Sequence, residues 1–393
     1  MGDDPQARDM IRVREAEADN AAARGDHDAA RAILEQVIAS SPGRIEPWLK
    51  LAAMRRAQGD GAGALEAVSG ALRIDPLGFL PLLLKASLLD AAGRPQEAGE
   101  TYGHALAQRP ATVPAGLSGA VATAEQRHQA HIAAAGERLA GAALSLEPGL
   151  SEPERRRLRR FRSNILRTTR PWHSDPSHFH YPGLAEREFH DPEDFPWLAA
   201  LEAATPAILD DFRRVMAAER AELVPYIQYP DDVPLRQWAE LNRNPAWTAI
   251  HLVQNGATID ANARHCPAVM ALLGGFDQPV IPGRGPNAMF SLLAPGAHIP
   301  PHTGVANTRL VCHLGLIVPR GCWFRVGGER REWAVGEGFV FDDTIEHEAA
   351  NPSGELRVVL IIDTWHPGLS QAERAAVAAT MLASGLNDEG EAL

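Results

Sequence analysis

The sequence predicts two domains of different class, an N-terminal α-helical repeat solenoid and a C-terminal double-stranded β-helix, the jelly-roll barrel. Two observations support this prediction. Residues of the same type recur every 34 positions between residues 10 and 110, and repeats of roughly 20 to 50 residues are typical of stacked structural units. From Phe290 onward, runs rich in Val, Ile, Leu and Phe alternate with Gly, Pro, Asn and Asp. That alternation indicates short antiparallel strands joined by turns, as in a jelly roll.

The N-terminal repeat is in register over three units. The same 34-residue step separates Gly25, Gly59 and Gly93, then Ala30, Ala64 and Ala98, and then Pro42, Pro76 and Pro110. Gly allows a left-handed turn, small Ala lets two helices approach closely, and Pro stops the second helix. The pattern resembles the tetratricopeptide repeat, a helix-turn-helix unit of this length. The resemblance implies a concave surface that binds a peptide or protein; the alternative is that the repeat only braces the second domain or forms a dimer contact.

The remaining domain boundaries follow from composition and from the likeness described below. We predict tetratricopeptide-like repeats over residues 10–110, a helical linker or cap over 111–164, the barrel domain over 165–370, and a C-terminal helix with an acidic tail over 371–393. A basic run extends from Glu152 to Arg162. It is interpreted as a solvated helix face or a linker, and it predicts no function.

Composition excludes several classes of protein. The 393 residues carry a net charge of -12, which argues against a nucleic-acid partner. No apolar run approaches the ~20 residues of a membrane span, and the first residues, MGDDPQARDM, are acidic, so we expect a cytoplasmic protein. Cys266, Cys312 and Cys322 are too few and too scattered for a disulfide framework. The latter two are expected to be buried thiols in strands.

Two histidines flank the β-rich block and have the character of metal ligands. His302 lies in HIPPHTG and His347 in DDTIEHE. Imidazole nitrogens suit iron, and a two-histidine site in a jelly roll is the scaffold of non-haem Fe(II) oxygenases. The carboxylate of the common oxygenase pattern would stand two residues after the first histidine, where this chain has Gly304. Asp342 or Asp343 could supply the missing oxygen ligand, or could instead hold a ligand imidazole in place.

Five motifs in order carry a family resemblance. They are PHTG, NTRL followed by HLGLIVP, FDD followed by EHE, an Arg ten residues after the second histidine, and DTWHP. Residues 291–367 thereby resemble the aspartyl/asparaginyl β-hydroxylase family of Fe(II)- and 2-oxoglutarate-dependent oxygenases. A weaker likeness extends upstream through DFPWL and the region of Trp238 and Trp247. The resemblance also accounts for Gly304, because the family has Gly there and leaves water at that coordination position.

The resemblance implies how the co-substrate 2-oxoglutarate binds. Arg357 matches the family's anchor for the distal carboxylate, and guanidinium offers bidentate geometry to a carboxylate. Ser291 matches a hydroxyl partner on a neighbouring strand, and His313 matches an imidazole that contacts the co-substrate near the metal. One position departs from the better-known animal members, which have a second Arg where this chain has Val311.

Two further residues are candidates for substrate binding. The resemblance implies that Arg309 faces the acidic side chain to be hydroxylated; the alternative is a salt bridge within the barrel. Asn307 is a weaker candidate that could instead form a turn.

The expected function is a dioxygenase that uses Fe(II), 2-oxoglutarate and O2 to hydroxylate the β-carbon of an aspartyl, asparaginyl or carrier-bound substrate. The helical repeat would recruit a protein partner. The alternative is a non-catalytic scaffold that binds peptides through the repeat and the jelly roll.

Overall fold

The 34-residue repeat folds into pairs of helices joined by tight turns. The computed structural model describes residues 5–218, 223–230 and 235–384, and the chain divides after Thr168 into two compact units. The first unit begins with three helix pairs: α1 (Pro5–Ala23) and α2 (His27–Ser40), α3 (Ile45–Ala57) and α4 (Gly61–Ile74), and α5 (Phe79–Ala91) and α6 (Pro95–Ala107). The predicted helical repeat is confirmed.

The turn within each pair depends on glycine. Gly25, Gly59 and Gly93 have φ angles of 80°, 79° and 72°, in the left-handed region that costs glycine little. The alanines of the repeat, Ala30, Ala64 and Ala98, are at most 1% exposed. Their small side chains therefore lie where neighbouring helices make contact.

Two further helices complete the first unit, α7 (Ser118–Ala143) and α8 (Glu152–Ile165). The basic run forms α8, which starts with a capping box between Ser151 and Glu154. None of the α8 side chains is buried, as expected for a solvated helix.

The second unit is built on short strands in two antiparallel sheets. Its strands are β1 (Val224–Pro225), β2 (Trp247–Gln254), β3 (Ala257–Thr258), β4 (Ala288–Leu293), β5 (His298–His302), β6 (Arg309–Ile317), β7 (Trp323–Val326), β8 (Glu329–Glu332), β9 (Gly338–Phe341), β10 (His347–Ala350) and β11 (Arg357–Trp365). The larger sheet has the order β1-β2-β4-β11-β6-β9, with β3 paired to β2. The smaller sheet has the order β5-β10-β7-β8. This arrangement confirms the predicted jelly-roll class.

The two faces of the larger sheet have different partners. Its outer face, which includes Phe290 and Leu360, shares a core with Leu201, Ile208 and other residues of three helices. These helices are α9 (Leu198–Ala203), α10 (Thr205–Ala217) and α12 (Pro267–Leu273), and the short helix α11 (Asp260–Ala263) precedes α12 in the chain. The inner face shares a second core with the smaller sheet. Burial on both faces explains why β4, β6 and β11 read as nearly continuous apolar runs.

A last helix, α13 (Gln371–Ala383), follows β11 and packs Val377 and Met381 beside Trp365. The predicted acidic tail, from residue 385 onward, lies outside the described residues. Within the described part of the chain, no helix is both long and apolar enough to span a bilayer. Cys312 lies in β6, Cys322 directly precedes β7, and both are buried free thiols.

Candidate active site

A cavity of about 320 Å³ opens between the two sheets of the barrel. Most of the residues singled out from the sequence line it, including His302, His347, Arg357, His313 and Ser291. The inner faces of both sheets contribute side chains, so the jelly roll brings together residues that are far apart in the sequence.

The two candidate metal ligands lie next to each other in the wall of the cavity. His302 ends β5 and His347 begins β10, and the two residues are direct cross-strand partners whose ring centroids lie 4.1 Å apart. The Nδ1 atom of His302 lies 2.8 Å from the Pro300 carbonyl oxygen, and that of His347 lies 3.1 Å from the Ile345 carbonyl oxygen. Because a carbonyl only accepts, each Nδ1 carries the proton and each Nε2 keeps its lone pair.

Electrostatics favour the neutral, ligating form of both rings. Burial lowers the pKa of His302 to about 3 and the pKa of His347 to about 4. Both imidazoles are therefore unprotonated at neutral pH, as metal binding requires.

No third protein ligand adjoins the pair in the described structure. Among the described residues there is no group of three or more His, Cys, Asp or Glu side chains that could hold a metal ion. The Asp343 carboxylate fills the space next to Gly304, where a Cβ atom would overlap it. Asp342 instead accepts hydrogen bonds from the Thr344 backbone and hydroxyl. The donor set thus fits a metal bound by two neutral imidazoles with its other positions open.

Arg357 is the least compensated charge in the cavity. Its side chain opens β11 and is 1% exposed, yet its Nε is buried without a hydrogen-bond partner and its guanidinium forms no ion pair with a described residue. The guanidinium lies over the Trp333 ring, 4.8 Å from the centroid. Burial lowers the Arg357 pKa to about 10. An isolated buried cation is costly, so this position calls for an anionic ligand.

Ser291 and His313 lie on the strands that flank Arg357. In the ladders Ser291 is opposite Val359 and His313 is opposite Ile361. Because directly paired residues and alternate residues share a face, both side chains lie on the Arg357 face of the sheet. The Ser291 hydroxyl accepts from Trp247 Nε1 at 3.0 Å, which leaves its own proton free to donate. The His313 Nδ1 is buried without a described partner, and burial lowers the His313 pKa well below its ordinary value.

Arg309 forms a salt bridge within the barrel, which was the alternative that the sequence left open. Its Nη2 lies 3.0 Å from Asp343 Oδ2 and its Nη1 lies 3.3 Å from Asp363 Oδ1. All three side chains also line the cavity. A substrate contact would therefore have to share a guanidinium that two carboxylates already hold.

Asn307 is not among the residues that line the cavity. Its amide accepts from the Tyr181 backbone N–H at 2.7 Å and donates to the Tyr181 carbonyl at 2.9 Å. The structure thus places this residue in a backbone contact with an upstream segment. Val311, by contrast, does line the cavity, and it makes that part of the wall apolar.

Several aromatic residues of the cavity were missed as functional candidates. Trp247 stacks on Tyr226 with centroids 3.9 Å apart, and Trp238 lies 5.0 Å from the His302 ring. His251, on the same face of β2 as Trp247, has a buried Nδ1 without a described partner. The sequence shows Trp238 and Trp247 close together, but it does not indicate that both rings would line the cavity.

Comparisons with known proteins match the two units of the chain to two different families. Residues 202–367 match the family model for aspartyl/asparaginyl beta-hydroxylase, and residues 21–77 match the tetratricopeptide repeat. Aspartate beta-hydroxylase domain-containing protein 2 of Homo sapiens is 38% identical over 148 residues, which cover 36% of this chain and 40% of that protein. Aspartyl/asparaginyl beta-hydroxylase of Mus musculus is 35% identical over 151 residues, 38% of this chain and 19% of that protein.

The matched part spans less than half of these curated relatives. Among solved structures, the Yersinia enterocolitica type III secretion chaperone SycD in complex with a peptide of the translocator YopD is 17% identical. The alignment covers 31% of this chain and 92% of that chain with a TM-score of 0.29.

Proposed function

Residues 202–367 form a domain of the aspartyl/asparaginyl β-hydroxylase family, and from this premise we propose that the chain is an Fe(II)- and 2-oxoglutarate-dependent dioxygenase. Its substrate would be the β-carbon of an aspartyl, asparaginyl or related carrier-bound group. The relatives named above support a hydroxylase as the broader class.

One observation carries the co-substrate assignment. The buried Arg357 guanidinium has no anionic partner among the described residues and lies in the same cavity as the imidazole pair. A dicarboxylate bound at a metal by one end would place its other carboxylate in such a pocket. The charge-assisted pair would then offset the desolvation of Arg357.

The chain's own groups have distinct roles in this proposal. His302 and His347 would hold iron through their Nε2 atoms, and Arg357 would bind the distal carboxylate of 2-oxoglutarate. When bound, iron supplies the oxidising chemistry with O2, in which the 2-oxo acid is converted to succinate and CO2 as the substrate C–H bond is hydroxylated.

The surrounding side chains bind, orient and exclude water. The Ser291 hydroxyl donates toward the co-substrate while Trp247 fixes its oxygen. The neutral His313 can donate or accept without adding charge near the metal. Trp238 lies beside the His302 ring and Trp333 beside the Arg357 guanidinium, and apolar surface there strengthens the electrostatic contacts in the cavity.

The helical repeat is proposed to recruit a protein or peptide partner. Tetratricopeptide-type solenoids present a concave surface suited to that role, and residues 21–77 match that repeat. Recruitment would raise the local concentration of the substrate segment at the barrel.

The proposal is tested by oxygen incorporation. The full chain is incubated with Fe(II), 2-oxoglutarate and 18O2 together with a peptide library that contains Asp and Asn in matched contexts. We expect a mass increase of one 18O atom on selected peptides, and none with the His302→Ala variant. Peptide binding without oxygen incorporation by the unaltered chain would instead favour a non-catalytic scaffold.

A further inference from the structure

An extended segment upstream of the family match lies against both histidine-bearing regions of the barrel. This segment, residues 172–181, is called the strap. It contacts the first ligand loop, residues 303–307, which follows His302, and the second ligand loop, residues 342–346, which precedes His347. The family match begins only at residue 202, and the function proposed above assigns the strap no role.

On the second ligand loop the strap contacts Thr344. The Asp175 backbone N–H donates to the Thr344 carbonyl at 2.8 Å, and the Ser174 and Thr344 hydroxyls lie 2.7 Å apart. Thr344 is fully buried, and its N–H donates to Asp342 Oδ1 at 2.9 Å. A residue three positions before His347 is thus bonded to the strap on one side and to its own loop on the other.

On the first ligand loop the strap bonds the backbone directly after His302. The Ser177 N–H donates to the Gly304 carbonyl at 3.0 Å, and the Phe179 N–H donates to the Val305 carbonyl at 2.9 Å. The amide of Asn307 then makes two bonds to the Tyr181 backbone. This is the contact in which the structure places Asn307.

The start of the strap also supports the strand that carries His347. The Trp172 ring lies under the Arg325 guanidinium, 5.5 Å from its centroid. Arg325 Nη2 lies 2.8 Å from Glu346 Oε1, and its Nε bonds Glu348. These two carboxylates belong to the residues on either side of His347, so Trp172 packs on the ion pairs that flank the ligand.

His347 pairs in regular register with Val326 of β7, but its pairing with β5, the strand that carries His302, is irregular. The pairing of β5 with β10 shifts register between His347 and Ala349. Gly304 and Asp343 share one direct backbone bond of 2.7 Å between the ligand loops. The strap adds contacts to both loops, which are about 40 residues apart in the sequence.

We propose that the strap is a positioning element of the metal site, which sets the separation and orientation of His302 and His347 by bonding both ligand loops at once. The inference rests on the proposed function. Groups that orient metal ligands typically change metal affinity about 10- to 100-fold when they are removed. We expect an effect of that size from the strap.

The test uses the full chain and Co(II), whose binding is followed by absorption without turnover. The double variant Trp172→Ala/Ser174→Ala removes the Arg325 contact and the hydroxyl bond to Thr344. We expect its Co(II) affinity to fall roughly 10- to 100-fold. The conservative pair Trp172→Phe/Ser174→Thr keeps a ring and a hydroxyl, and it should restore most of the affinity.

The matched control is Trp323→Ala/Ser353→Ala in the same domain. Trp323 also lies beside an arginine, with Arg330 4.3 Å from its ring centroid, and Ser353 also donates a hydroxyl bond, to Asn351. Neither residue contacts a ligand loop in the structure, so the control should bind Co(II) within about twofold of the unaltered chain. Equal Co(II) affinity in the strap variant and the control would overturn the inference, even if both unfold more easily.

A single variant covers the case in which the double variant does not fold. Thr344→Val removes the hydroxyl partner of Ser174 together with the Thr344 hydroxyl bond to Asp342, and it should weaken Co(II) binding in the same direction. Unchanged affinity in this variant and in Ser174→Ala would also overturn the inference. Absence of metal binding by the unaltered chain would instead remove the proposed function and the inference with it.

Discussion

Replacing the buried guanidinium of Arg357 should have opposite effects on the stability of the ligand-free protein and on the binding of 2-oxoglutarate. Burial lowers the Arg357 pKa well below its ordinary value, to about 10, which corresponds to a free-energy cost on the order of 3 kcal/mol for the charged form. Because a base with a lowered folded pKa binds its proton less readily than the unfolded chain does, this cost is present at every pH below about 10. Replacing Arg357 by Met, which has no charge and partly fills the volume, should raise the unfolding free energy of the ligand-free protein by up to about 3 kcal/mol.

The same substitution should abolish the stabilisation by co-substrate. Charge-assisted hydrogen bonds contribute about 1.5–3 kcal/mol each, so losing a bidentate pair should weaken 2-oxoglutarate binding about a hundredfold or more. Urea denaturation without ligand gives the stability, and calorimetry with Mn(II) present gives the affinity. Mn(II) binding itself should barely change.

Arg330→Met is the matched control. Arg330 also lies over a tryptophan ring, but it is exposed and outside the cavity. We expect neither effect in this variant. A less stable Arg357→Met protein with unchanged 2-oxoglutarate affinity would refute the reasoning and transfer the anchoring role to another cation, with Arg309 the first candidate.

Three further predictions concern the metal site and the repeat. Gly304→Asp should lower stability and leave succinate formation no faster, because a side chain there overlaps the Asp343 carboxylate; a clear gain in rate would contradict this. Co(II) affinity should stay constant from pH 8 to about pH 5 and fall only as the pH approaches the pKa values of about 3 and about 4 for His302 and His347; a midpoint near 6.5 would show exposed, ordinary imidazoles. A chain that starts near residue 160 should still oxidise 2-oxoglutarate without substrate but lose most hydroxylation of its protein partner, and equal hydroxylation by the truncated and full chains would end the recruitment hypothesis.

The N-terminal fold could be predicted because its constraints are local. Gly25, Gly59 and Gly93 repeat a backbone conformation that only glycine adopts easily, and the spacing alone shows where each helix pair turns. His302 and His347 could be identified because each lies in a short motif at a strand end. Their cross-strand pairing, however, is a long-range contact that the sequence does not show.

The remaining site features depend on contacts between distant segments. The sequence could not choose between a substrate contact and a salt bridge for Arg309, since Asp363 lies 54 residues away. Asn307 gave no sign that its partner would be Tyr181, 126 residues upstream. The strap consists of polar and aromatic residues without periodicity, and many of its contacts to the ligand loops use backbone donors, which any non-proline residue has.

The most direct test of the central claim is succinate formation by the full chain with Fe(II), 2-oxoglutarate and O2, comparing His302→Ala and His347→Ala with His298→Ala. His298 lies on the same strand as His302 but is exposed and bonds Glu348 outside the cavity. The account predicts succinate from the unaltered chain and from His298→Ala, and none above background from the other two variants. Succinate formation at the unaltered rate in either ligand variant would contradict it.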